Sequence, residues 1–244
     1  MNLVKGGELL KSEIGKVVVC TPSVDGNLSL EYHVSLNYSI ALMNSLGVQV
    51  ESTYVRGDCF IDKARNNLVN RFLEREAETL FFIDADEGWE PEDFRRMVFH
   101  PQEIVAAAIR KKTDEVTYNH PDLITKPNGD CIIENGLLQA NKIGSGFMRI
   151  KKSAIEKMIA AYLEKYAPGD GSTDQHYNLF ERKIIDGQFW GEDLVFCKKW
   201  VAIGGKIWID PNVTHKHIGR QVWEGNFLKY LQEKCKVELT KMAA

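Results

Sequence analysis

The chain has 244 residues, 44% of them apolar and 27% charged, with a net charge of −3 and a pI near 6.1. That is the make-up of a soluble globular protein with enough residues to bury a sizeable core. It excludes a strongly basic surface, so neither nucleic acid nor an anionic membrane is expected as the main partner, and no run approaches the ~18 consecutive apolar residues of a transmembrane segment.

Val17–Cys20 is a β-rich run that stops at Thr21-Pro22 and predicts a first strand. Apolar residues then recur at helical spacing from about Glu31 to Leu46, and Gly47 ends that helix. Val48–Tyr54 predicts a second strand, Asp62 caps a helix to about Glu76, and Leu80–Ile83 is a third, wholly apolar strand. Pro91 suits the first turn of a helix that carries Phe94, Met97 and Val98 on one face, and Ile104–Ala108 predicts a fourth strand. This alternation predicts an α/β fold, a mainly parallel central sheet flanked by helices on both faces.

The second half is less regular. Asn128-Gly129 signals a hairpin. Gly144-Ser145-Gly146 leads into a strand at Phe147–Ile150, and Ser153 caps a helix to about Tyr166. Ala167–Gln188 is polar, Gly-rich and without periodicity, as in a functional loop or a disordered segment. Glu192–Ile203 predicts a helix ended by Gly204-Gly205, Lys206–Ile209 a late strand, and the aromatic segment after His217 a further helix. The reading is one domain over 1–244, with a nucleotide-type half at about 16–110, an irregular acceptor-side half at about 111–227 and a tail at 228–244. The N-terminus lacks the apolar core of a signal peptide, and the five cysteines are scattered with no C-x-x-C, so a cytoplasmic protein with reduced thiols is expected.

The third strand ends in Asp84-Ala85-Asp86. Carboxylates two apart on extended backbone leave it on one side, where a hard cation such as Mg²⁺ or Mn²⁺ takes oxygen ligands. In open α/β sheets ligands bind beyond the carboxyl ends of the strands. His215 and His217 also alternate, so either or both can face a metal. Glu192 and Asp193 open a helix, where carboxylates suit the dipole and where one could also act as a general base; Trp190 before them offers a flat face for a sugar ring. Arg65 and Asn66 lie in the first turns of a helix, within reach of a phosphate or base edge. Gly144 and Gly146 let backbone approach a ligand closely. No phosphate-binding P-loop, G-x-G-x-x-G after the first strand, H-E-x-x-H or G-x-S-x-G is present.

In this order Thr21-Pro22, Ala64-Arg65-Asn66, FFIDAD at 81–86, GSGF at 144–147, GED at 191–193 and HIG at 217–219 resemble a GT-A-type, family-2-like glycosyltransferase that uses a nucleotide sugar. The resemblance spans most of 16–227. It implies a Rossmann-like domain in which Asp84 and Asp86 hold Mn²⁺ or Mg²⁺ on the diphosphate of a UDP- or GDP-sugar, with Asp86 the stronger ligand. His217 would complete the metal shell, with His215 in reserve. Thr21 and Pro22 would hold the nucleoside, Arg65, Asn66 and Ala85 would border the donor, and Gly146, Phe147 and Trp190 would border the substrate. Asp193, with Glu192 next, would be the base of an inverting transfer to a hydroxyl, on a glycan in the first instance. A metal-binding C-terminal His fits a retaining enzyme, so that outcome stays open. So do a metal-dependent nucleotidyltransferase or sugar-phosphate enzyme and a non-catalytic sugar-nucleotide-binding module.

Overall fold

The structure is a computed structural model that describes residues 14–119, 121–169 and 174–235. The first half runs β1 (Val17–Ser23), α1 (Leu30–Ser45), β2 (Val50–Arg56), α2 (Ile61–Leu73), β3 (Thr79–Ile83), β4 (Glu87–Trp89), α3 (Pro91–Phe99) and β5 (Ile104–Ala106). There follow β6 (Asp122–Leu123), β7 (Ile133–Glu134), β8 (Leu137–Lys142), β9 (Phe147–Lys151), α4 (Lys152–Ala161), β10 (Lys165–Tyr166) and β11 (His176–Tyr177). The chain continues through β12 (Lys183–Ile185), β13 (Gln188–Trp190), α5 (Glu192–Ala202), β14 (Ile207–Ile209), β15 (Thr214–Ile218), β16 (Val222–Asn226) and α6 (Phe227–Cys235).

The central sheet has nine strands in the order β2-β1-β3-β9-β5-β14-β8-β6, with β7 also on β8. β9 is inserted antiparallel between β3 and β5, and β8 is antiparallel to β14, β6 and β7. The other strands share one direction, so the expected mainly parallel α/β sheet is present, and strands from both halves of the chain build it. Alternation of side chains sorts its two faces. Val17, Val19, Phe81 and Ile83 pack with α1 and α3 on one side. Val18, Cys20, Leu80 and Phe82 pack with α2, α4, α5 and α6 on the other. A strand covered on both faces needs apolar side chains on both, which is why β3 reads Leu-Phe-Phe-Ile after Thr79, whose buried hydroxyl donates to the Ile14 carbonyl at 3.2 Å.

Several local expectations shift. Asp62 does not cap α2; Phe60 stands at the cap, and Asp62 instead receives the Arg182 guanidinium at 3.0 Å. Ser153 does not cap α4 either; that helix begins at Lys152, and Ser153 donates to Glu103. α4 stops at Ala161, with Tyr162 at its cap, and Lys165-Tyr166 beyond it pair with His176-Tyr177. The described part of 167–188 holds β11 and most of a hairpin, β12–β13, rather than continuous loop. Its turn is Asp186-Gly187, both at positive φ, and β7–β8 turns the same way at Asn135-Gly136. Asn128-Gly129 does turn the chain, between the paired residues Thr125 and Cys131. Among the described residues no helix is long and apolar enough to cross a membrane.

Candidate functional site

Three parallel strands, β1, β2 and β3, end at one edge of the sheet, and a cleft of about 900 Å³ opens there, bordered by Pro22, Ser23, Asp58, Arg65, Asp84, Ala85, Asp86, Glu192 and Asp193. Its floor is the turn after β3. Asp84 accepts from Arg65 at 3.0 Å, and the same guanidinium donates from Nε to Glu192 Oε1 at 3.2 Å. Arg65 is only 3% exposed. Burial works against its charge, but the Asp84 and Glu192 carboxylates outweigh that and hold it protonated. The backbone N–H of Asp84 donates to Gly146 at 2.9 Å, and a Cβ on Gly146 would lie 2.7 Å from the Asp84 carboxylate. The glycine in GSGF is thus required by close approach to Asp84.

A second small sheet carries the histidines. β15 pairs antiparallel with β4, which sets His217 beside Glu87 and His215 beside Trp89. The backbone N–H of Ile218 donates to Asp86 at 2.7 Å and fixes the register. His217 Nδ1 lies 2.8 Å from the Arg110 carbonyl, which an N–H there satisfies, and its Nε2 faces Glu87 Oε1 at 3.6 Å and Asp86 Oδ2 at 3.7 Å. Ligand atoms of Asp86, Glu87 and His217 all lie within 4.8 Å of one another.

These residues fit a divalent cation. Glu87 is 1% exposed, and its Oε2 has no hydrogen-bond partner. Burial, then the Asp84 and Asp86 charges, push its carboxyl well above the usual range. A buried, unpaired carboxylate is costly, and a cation removes that cost. Two oxygens and one imidazole nitrogen suit Mn²⁺, and Mg²⁺ with more water in its shell. Asp86 is the open side of the group. Burial favours its neutral form, yet His217 and the Lys112 ammonium paired with it bring the carboxyl down to about 2.

Two of the expected ligands, Asp86 and His217, come together in this group. Asp84 is engaged by Arg65, and Glu87 stands in the group that Asp84 was expected to join. His215 is buried, with Nδ1 3.5 Å from Glu87 Oε2 and its ring packed edge-on against Phe147. Burial, then His217, lower its imidazole to about 3, so it is a neutral ring behind Glu87 rather than a member of the group.

The opposite wall is the start of α5. Gly191 is the N-cap, and Glu192 and Asp193 lie in the first turn. Asp193 Oδ1 accepts from the Leu194 N–H at 2.7 Å, and Oδ2 is 3.5 Å from where a Cβ on Gly144 would stand. Burial, then the Glu192 charge, raise the Asp193 carboxyl. It is a shielded carboxylate facing a cleft, the setting of a general base.

Other expected site residues are used elsewhere. Thr21 is buried and shares a hydrogen bond of 2.6 Å with the Tyr32 hydroxyl, while Pro22 and Ala85 do border the cleft. Asn66 does not border the cleft; it receives the N–H groups of Leu179 and Phe180 at 3.1 and 2.9 Å and donates to the Phe180 carbonyl. Phe147 is wholly buried against Phe81 and Trp89 and has no face for a substrate. Trp190 lies under the ammoniums of Lys142 and Lys198, at 4.5 and 5.0 Å, and does not border the cleft. Glu87 and Lys112 were not foreseen.

No family model matches the chain, and no curated protein matches it. Solved structures with a similar course of chain include A197 from STIV, at 16% identity over 84% of this chain and 86% of that one, with a TM-score of 0.49. A nucleoside-diphosphate-sugar pyrophosphorylase from Vibrio cholerae RC9 gives 8% identity, 79% and 90% coverage and a TM-score of 0.41. The inositol-1-phosphate CTP transferase from T. maritima gives 12%, 84%, 89% and 0.39. At such identities these are likenesses of chain course, and the functional argument rests on the site.

Proposed function

We propose that the chain is a metal-dependent transferase that moves a sugar from a nucleoside-diphosphate sugar to an acceptor hydroxyl, with Asp193 as base. One observation carries this reading. A cation-ready group opening at Asp86 and a shielded carboxylate, Asp193, border the same cleft at the carboxyl edge of the sheet.

Asp86, Glu87 and His217 would hold Mn²⁺ or Mg²⁺, which when bound offsets the charge of a nucleoside diphosphate as it leaves. The end of β1, Pro22 and Ser23, and the loop after it would border the nucleoside. Asp193 accepts the proton of the acceptor hydroxyl as its oxygen bonds to the anomeric carbon. The bond from that carbon to the diphosphate oxygen breaks, and the electron pair leaves with the nucleoside diphosphate. A base on the acceptor rather than a nucleophile on the sugar implies inversion. The same base distinguishes this reading from nucleotidyl transfer to a phosphate, whose nucleophile is already ionised and needs no proton taken from it. Arg65 holds Asp84 and Glu192 together, and so joins the turn after β3 to the start of α5.

Product analysis with UDP- and GDP-sugars, Mn²⁺ and a panel of saccharide acceptors tests the reaction. Nucleoside diphosphate and a glycoside of inverted anomeric configuration are expected. Pyrophosphate exchange would make it a nucleotidyltransferase, retained configuration would remove Asp193 as base of a direct displacement, and donor binding without turnover would make it a binding module.

A further inference from the structure

The cleft is short of positive charge. Among the described residues that border it, Arg65 is the one cation, against the carboxylates of Asp25, Asp58, Asp84, Asp86, Glu192 and Asp193. Arg65 is buried, its Nε and Nη2 are engaged by Glu192 and Asp84, and its remaining nitrogen, Nη1, is buried without a hydrogen-bond partner. A diphosphate entering this cleft meets an acidic surface that one divalent ion does not neutralise.

Lys112 stands at the edge of this deficit. Its ammonium pairs with Asp86 Oδ2, the oxygen that also faces His217 Nε2 at 3.7 Å. It therefore sits on the ligand atom that a cation would take. The stem lies along Gly219, where an added Cβ would be 3.2 Å from Lys112 Cδ, and Gly219 itself borders the cleft. The loop around Lys112 is fastened at its base: Arg110 bridges Tyr118, the Lys111 N–H donates to Thr117 at 2.8 Å, and the Asn119 N–H donates to Ile109 at 3.0 Å. Residues 113–116 at its tip are exposed. The anchor is fixed while the side chain, with four rotatable carbons, is adaptable.

From this we infer that Lys112 exchanges between two partners: it neutralises Asp86 when no divalent cation is bound, and it turns to the diphosphate of the nucleotide when one is. The inference rests on the proposed nucleotide-sugar reading and adds a phosphate ligand to it. A cation on Asp86 repels the ammonium from that oxygen, and a diphosphate alongside supplies the nearest new anion. Lys112 thus competes with the metal and cooperates with the nucleotide.

Lys112→Met keeps the stem and removes the charge. Two readouts on the full chain separate the roles: Mn²⁺ binding without nucleotide, from the paramagnetic resonance of free Mn²⁺, and calorimetric binding of UDP and GDP at saturating Mn²⁺. The variant is expected to bind Mn²⁺ at least about threefold more tightly than the parent chain and nucleoside diphosphate about tenfold more weakly. Lys112→Arg should keep most of the nucleotide affinity. Unchanged or weaker Mn²⁺ binding by Lys112→Met, or unchanged nucleotide binding, overturns the exchange while leaving the transferase reading standing. Failure of the parent chain itself to bind Mn²⁺ or nucleotide overturns both.

Discussion

At the residue scale, the site turns on where each carboxylate finds its counter-charge. Asp84 has Arg65 and Asp86 has Lys112, while buried Glu87 has no hydrogen bond on Oε2. Glu87→Gln keeps the shape and removes the charge. It should weaken Mn²⁺ binding roughly tenfold to a hundredfold, whereas Asp84→Asn should weaken it far less. Calorimetric titration of Mn²⁺ into both variants checks this, and the reverse ranking would restore Asp84 as the ligand. Asp193→Asn should leave donor affinity intact while slowing transfer by about 10²–10⁴-fold; full activity in that variant would remove it as base. Asp193 must be ionised to act, and its carboxyl is raised, so activity should fall with decreasing pH at values above the usual ~3.9 of an aspartate. Glu192→Gln removes a negative neighbour, so the acid limb should move to lower pH. A limb that stays in place, read from rate against pH, would contradict this electrostatic coupling.

At the element scale, the parts legible in the sequence were those set by local pattern. The apolar run of β3, the Pro91 start of α3 and the GED start of α5 all stand where composition puts them. What escaped was set by long-range pairing. β4 has three residues, and nothing in Glu-Gly-Trp announces a strand; it exists because β15 lies beside it. That pairing turns His217 to Glu87 and Asp86, so the third member of the cation group stayed invisible while Glu87 read as loop. The alternation in Thr-His-Lys-His-Ile was the available signal. Asp186-Gly187 between β-formers was likewise an available hairpin signal in a stretch read as loop. Trp190 and Phe147 misled for another reason: an aromatic beside a motif looks alike in sequence whether it faces a ligand, a lysine or the core. Arg149 marks a similar hidden contact. It is wholly buried in β9 and donates to the Met97, His100, Gln102 and Glu103 carbonyls, closing the carboxyl end of α3. Burial brings its guanidinium down to about 9. Arg149→Met leaves those carbonyls unpaired and should cost about 3 kcal/mol in denaturant unfolding; a loss below about 0.5 kcal/mol would show that water replaces the guanidinium.

At the scale of the whole molecule, one sheet joins the first half of the chain to the less regular second half, and both faces of that sheet are covered. The far side of the α3 face is tied by Asp210, at the end of β14, which accepts from Arg96 at 2.7 Å and lies 3.0 Å from His100. Burial opposes its ionisation, but His100 and Arg96 outweigh that and bring it down to about 2. The folded carboxyl is thus more acidic than the unfolded one. Its contribution is complete above the unfolded value of ~3.9, amounts to about 2 kcal/mol there, and is lost as pH falls toward 2. Asp210→Asn should lower stability at neutral pH and flatten the pH dependence of unfolding over that interval; a parallel, undiminished slope would assign the acid sensitivity elsewhere.

In the proposed function, a divalent cation at Asp86, Glu87 and His217 anchors a nucleoside-diphosphate sugar in the cleft. Calorimetric titration of UDP- and GDP-sugars into the full chain, with and without Mn²⁺, tests it most directly. Saturable binding of at least one donor that needs Mn²⁺ and is lost in Asp86→Ala is the predicted result. No binding with Mn²⁺ present, or equal binding without it, would contradict the account.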